Sequence, residues 1–92
     1  MTGDLRPVLP RGTRLHQDRV RGSMVLLAPE RALILDEVGA AILAEVDGVA
    51  PISLIAERLA GRYQAPVDEI AADCREFLLG LASDRLVDIH AA

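Results

Sequence analysis

The residue types that most often do chemistry are few in this chain, and they do not converge. His16 and His90 stand near opposite ends of 92 residues, and neither sits at a spacing that joins it to a serine or cysteine nucleophile. Cys74 falls on the apolar stripe Val67, Ile70, Cys74, Phe77, Leu78, Leu81, where a thiol acts as a small inert hydrophobe. A single cysteine excludes an internal disulfide and argues against a cysteine-based metal site. Asp68, Glu69, Asp73 and Glu76 share that stretch, but helical geometry scatters them over its outer arc, as on a solvated face. The seven glycines are dispersed and form no phosphate loop. The sequence thus holds no catalytic constellation, no metal site and no cofactor signature.

The chemistry that remains is recognition, and the elements that would carry it are readable. A chain of this length forms one domain and buries roughly 60–65% of the surface its unfolded form exposes. Hydrophobic residues make up 51% of it and aromatic residues only 2%, so Leu, Ile, Val and Ala must build the core. Residues 1–12, with Gly3, Pro7, Pro10 and Gly12, read as a flexible N-terminal arm ahead of a single domain over 13–92. Strands are expected at 13–20, 24–28 and 31–35, the last two joined at Pro29, whose fixed φ suits the second position of a tight turn. Asp36 caps a helix running to about Glu45, and Asp47-Gly48 stops it. A second helix opens near Pro51 with the stripe Ile52, Ile55, Leu59, Tyr63, and a third spans about 66–83. The tail Arg85–Ile89 alternates well enough to add a small strand. Strands followed by helices indicate an α+β fold: a three-stranded antiparallel sheet followed by a three-helix bundle, winged-helix-like in arrangement.

Charge separates the possible partners. Residues 1–31 hold six Arg against three acids, a net of +3, whereas residues 32–92 hold four Arg against eleven acids, a net of −7, giving the whole-chain −4. The third helix, which would be the DNA reader of a winged helix, has four acids and one base, Arg75. Such a face repels phosphates, so a winged-helix nucleic-acid-binding protein is the weaker alternative. No stretch approaches the roughly 18 apolar residues of a membrane span, and no secretory signal opens the chain. A cytoplasmic location is expected.

The hairpin MVLLAPERALILD, residues 24–36, raises the sharper question. Its second arm (Arg31, Ala32, Leu33, Ile34, Leu35) lacks polar alternation, and only Arg31 and Asp36 at its ends carry charge. Natural edge strands usually bear charge or proline to stop unwanted pairing. Two readings follow. Either the edge docks an extended peptide by strand addition, or it is covered by the chain's own tail or by a second copy in a structural oligomerisation module.

Taken in order, VRGSMVLLAPERALILDEVGAAIL, the DG break, ISLIAERLAGRY and IAADCREFLLGL resemble the PqqD family over roughly residues 13 to 88, the LL-x-PER hairpin being the most specific piece. Two positions depart from the family pattern: Pro51 stands where a Thr usually opens the second helix, and Arg85 where a Gly usually precedes the final Leu-Val. The resemblance implies a peptide chaperone rather than an enzyme, a recognition element for ribosomally made, modified peptides. It implies that the chain binds the precursor peptide PqqA of pyrroloquinoline quinone biosynthesis and presents it to the radical S-adenosylmethionine enzyme PqqE. It further implies that the peptide lies against the third strand in a groove shared with the third helix. Arg31, Ala32, Leu33, Ile34 and Leu35 would then pair with the peptide, and Asp73, Cys74, Phe77, Leu78 and Leu81 are the candidates for the helical wall. A monomer or a strand-exchanged homodimer is compatible with this reading.

Overall fold

The computed structural model describes residues 4–92. Its elements run β1 (Leu5–Val8), β2 (Arg14–Asp18), β3 (Ser23–Ala28), β4 (Arg31–Leu35), α1 (Glu37–Ala44), α2 (Ile52–Tyr63), α3 (Val67–Ser83) and β5 (Asp88–Ala91). The architecture is α+β. The expected strands are β2, β3 and β4, an antiparallel sheet in the order β2-β3-β4, and three helices follow. No helix among the described residues is long and apolar enough to cross a membrane.

The period of two divides the sheet into unlike faces. Leu15, Leu26 and Leu33 stand side by side on the inner face. Leu26 and Leu35 join Ile42, Leu43, Ile55, Leu59, Cys74 and Leu78 in the core, with Met24 and Ala28 packed against it. On the outer face Val25 is shielded by its cross-strand neighbours His16 and Ile34 and lies outside that core.

The helices begin and end where local chemistry dictates. Asp36 Oδ1 accepts the Gly39 amide at 2.7 Å and fixes the corner from β4 into α1. After α1, Asp47 Oδ1 accepts the Ala50 and Val49 amides at 2.8 and 2.9 Å, and these bonds lower its pKa. Glu45 pairs with Arg62 at 2.7 Å, tying the end of α1 to α2. Pro51 opens α2 with no side-chain cap, since its ring offers no acceptor to the first amides. Arg85 adopts φ +63°, the left-handed region where glycine is at ease. A side chain at that position carries strain that a glycine would not.

Two expectations are corrected. Residues 1–12 do not all form a flexible arm: Leu5–Val8 pair antiparallel with β5, Pro7 opposite Ile89, and Pro7 is buried. Asp4 accepts the Ser53 hydroxyl at 2.8 Å and Arg6 donates to the Gly48 carbonyl at 2.6 Å, so this segment is tied to the start of α2. Pro7 can sit here because a two-stranded ribbon leaves one side of each strand without ladder bonds. Residues 1–3, including Gly3, lie outside the described residues. The tail does form a strand, but it pairs with β1 and not with the edge of β4.

Candidate functional site

The β3–β4 hairpin turns through Pro29 and Glu30, the latter at φ +61°, with Ala28 opposite Arg31. A proline followed by a left-handed residue is the signature of a type II corner. Pro29 has no N–H, so a two-residue loop here can close only on Ala28 and Arg31 as a hydrogen-bonded pair. Antiparallel bonds alternate from that point. Leu33 and Leu35 therefore bond inward to Leu26 and Met24, while the N–H and C=O of Ala32 and Ile34 point to the far edge. Among the described residues no strand pairs with that edge. Ile34 is 54% exposed and Leu33 36%, whereas Leu35 is buried. The five candidate strand residues thus divide: Ala32 and Ile34 offer free backbone, Leu33 offers an inward side chain at the rim, Leu35 belongs to the core, and Arg31 closes the turn against Ala28.

The helix candidates divide as well. Cys74, Leu78 and Leu81 are buried core residues. Asp73 is exposed and Phe77 half-buried, on the flank of α3 beside α1. The Phe77 ring reaches α1 because position 39 is glycine: a methyl there would stand 3.0 Å from Phe77 Cζ and 3.1 Å from Asp36 Oδ1. Gly39 is a site residue that hydrophobic period does not reveal; its only mark is an isolated glycine inside a helical pattern. At the other end of β4, the Arg31 guanidinium donates to the Asp84 carbonyl at 2.7 Å. The start of β4 is thereby linked to the end of α3, and the residues after β4 to its middle.

Two clefts adjoin this region. One, of about 260 Å³, lies between the start of α1 and α3, with Phe77, Val38 and Ile42 beneath and Asp36, Asp73 and Glu76 around it. Another, of about 450 Å³, opens among the three helices and is lined by Val38, Ala41, Ile42, Leu59, Tyr63 and Ile70, with Cys74 on its wall. Burial pushes the Cys74 thiol up, with Asp73 adding to the effect, so it stays protonated and unreactive near neutral pH. No group of three or more His, Cys, Asp or Glu among the described residues is placed to hold a metal ion. What the region offers is backbone and apolar surface.

The family model for coenzyme PQQ synthesis protein D, PqqD, matches residues 23–87, the span that holds both the β4 edge and α3. The chain belongs to the PqqD family. A relative from Rhizobium meliloti (strain 1021), the PqqA binding protein, is 47% identical over 81 residues, 88% of this chain and 83% of that one. The PqqD truncation of Methylobacterium extorquens PqqCD has a solution NMR structure. It is described as a functional and stand-alone recognition element for ribosomally synthesised and post-translationally modified peptides. It is 46% identical, superposes with a TM-score of 0.79, and the match covers 89% of this chain and 87% of that one. TbiB1 in complex with the TbiA(beta) leader peptide shares the fold at a TM-score of 0.74 and 20% identity, over 88% of this chain and 94% of that one. In this PqqD-family chain the PER corner holds β4 in its hairpin with β3, one side of it open.

Proposed function

We propose that this PqqD-family chain is a peptide chaperone. It binds the precursor peptide PqqA by adding it as a strand along β4, and presents the bound peptide to the radical S-adenosylmethionine enzyme PqqE. The observation that carries the reading is the apolar β4 edge, whose backbone groups at Ala32 and Ile34 face outward with no described strand paired to them. The PqqA binding protein of R. meliloti, similar over most of both chains, supports the choice of ligand.

The energetics are adequate. Two residues that each expose an N–H and a C=O offer about four hydrogen bonds at roughly 0.5–1.5 kcal/mol apiece. Two or three apolar side chains buried from the peptide contribute roughly 1.5–3 kcal/mol each. Ordering the peptide removes about 2–5 kcal/mol or more, which leaves room for micromolar affinity, about −8 kcal/mol.

Titrating synthetic PqqA into ¹⁵N-labelled protein tests the first step. Amide shifts should concentrate at residues 31–35 and along α3 from Asp73 to Asp84. Shifts confined to β2, or none, would overturn the reading. For the second step, PqqA and PqqE should co-elute with this chain as a ternary complex in gel filtration. Release of the chain when PqqE binds the peptide would refute presentation.

A further inference from the structure

The larger of the two clefts is walled by helices alone. It lies where the start of α1 (Glu37, Val38, Ala41, Ile42) faces the end of α2 (Leu59, Tyr63) and the first half of α3 (Ile70, Asp73, Cys74). No residue of β4 lines it, and neither does Phe77. α1 is only eight residues long, against twelve in α2 and seventeen in α3. It offers Ala41 to the wall, where a larger side chain would fill the gap, and the cleft stays open at about 450 Å³. Val38 and Tyr63 keep 61% and 49% of their surface in water, so the apolar wall is reachable from outside and is no internal void. Exposed apolar surface gathered in one place, rimmed by polar groups, marks a surface that is covered by a partner.

The charge around the cleft narrows the choice of occupant. Glu37 and Asp73 stand on its lining, and no base does. Arg62, beside the Tyr63 hydroxyl, is already paired to Glu45 at 2.7 Å. Residues 32–92, which hold all three helices, carry four Arg against eleven acids, a net of −7. An anionic ligand is repelled here and a cationic segment is attracted. A second copy of this chain offers one matching segment, Arg19-Val20-Arg21, with Val20 almost wholly exposed. A valine is nevertheless too small to fill a cleft of this size.

We propose that this cleft is the surface on which the chain meets the enzyme it serves, and that it receives from that enzyme a bulky apolar side chain carried between arginines or lysines. The apolar side chain enters between Val38, Tyr63 and Ile70, and the flanking cations sit over Glu37 and Asp73. This rests on the presentation step proposed above and adds to it where the enzyme holds on and by what chemistry. Because the cleft shares no residue with the β4 edge, one chain can hold peptide and enzyme at the same time.

Titrating unlabelled PqqE into the ¹⁵N-labelled chain tests the location. Amides of residues 37–42, 59–63 and 70–74 should shift, and PqqA alone should leave 59–63 in place. Equal shifts at 59–63 with PqqA alone would make the cleft part of the peptide site and overturn the proposal. Shifts there that depend on the concentration of the free chain and vanish in Val20→Ser would put a second copy in the cleft, which overturns it equally. Affinities for PqqE test the chemistry. Tyr63→Ser should weaken binding about tenfold or more. Ala41→Leu, which fills the cleft, should do the same without lowering Tm. Glu37→Gln should cost about threefold and flatten the salt dependence. Val49→Ser, at an exposed valine outside the cleft lining, should stay within about twofold, as should PqqA affinity in all four variants. Far-UV circular dichroism certifies folding, and if Tyr63→Ser fails to fold, Ala41→Leu decides. Wild-type PqqE affinity in folded Tyr63→Ser and Ala41→Leu refutes the cleft and leaves presentation standing. No binding of PqqE to the wild-type chain, with or without PqqA, refutes both.

Discussion

The sheet has two outer strands, and they differ. β2 carries Arg14, His16, Gln17 and Asp18 in five residues, and β4 carries Ala32, Leu33 and Ile34 in the middle of its five. Both have one side without a described partner strand. Counting the ladder outward from Pro29, β3 bonds to β2 through Ser23, Val25 and Leu27, so Leu15 and Gln17 expose their backbone as Ala32 and Ile34 do on β4. The geometry of the two edges is therefore equivalent and the chemistry is not. Charged and polar side chains keep β2 hydrated and make it expensive to cover. Covering β4 removes apolar surface from water and completes its hydrogen bonds at once. One small sheet thus has a guarded edge and an open one, and the start of the open one is tied to the end of α3 through Arg31 and Asp84.

Proline distinguishes the edges most strongly. Ile34→Pro deletes an outward N–H without touching the bonds to β3, so the variant should fold and its affinity for PqqA should fall at least about tenfold by titration. Gln17→Pro makes the same change on β2 and should leave affinity within about twofold; equal losses would erase the distinction. Next in size is Leu33→Asp, which places a carboxylate on the inner face at the rim of β4. Anisotropy should show roughly a tenfold loss, from burial of an unpaired charge under the peptide. Asp36→Ala should lower stability by about 1 kcal/mol in urea titrations, because the Gly39 amide loses its acceptor. Arg85→Gly relieves a left-handed side chain and should raise stability by roughly 0.5–1 kcal/mol, with binding unchanged. The smallest effect is kinetic. Cys74, buried and with its thiol pKa raised, should alkylate with iodoacetamide far more slowly in the native protein than in denaturant.

How much of this was legible depends on the range of the interactions. The corner at Pro29, the cap at Asp36, the break after Ala44 and the span of α3 are short-range effects, and each lies within a residue or two of its expected place. The strand expected over 13–20 shortens to Arg14–Asp18, since Val20 and its neighbours turn toward β3 and leave Val20 fully in solvent. Helical period placed Tyr63 and Val67 on apolar stripes, yet both are substantially exposed, Tyr63 beside the cleft among the helices. Period tells which side of a helix is apolar; it does not tell how far the neighbouring helix reaches. The same gap separates Asp73 and Phe77 from Cys74, Leu78 and Leu81, because a stripe has no internal mark where core ends and groove begins.

The sequence by itself determined the strands of the hairpin, the order of strands and helices and the contrast between a charged and an apolar outer strand. These follow from residue type and from periods of two and 3.6, which act over a few residues. Only the tertiary structure decided that Leu5–Val8 pair with Asp88–Ala91, which leaves the free side of β4 without a partner strand among the described residues. It likewise decided that Gly39 admits Phe77 and that Arg31 reaches Asp84. Those contacts join residues 38 to 86 positions apart, and no local pattern encodes them. They form only after the core has brought distant segments together.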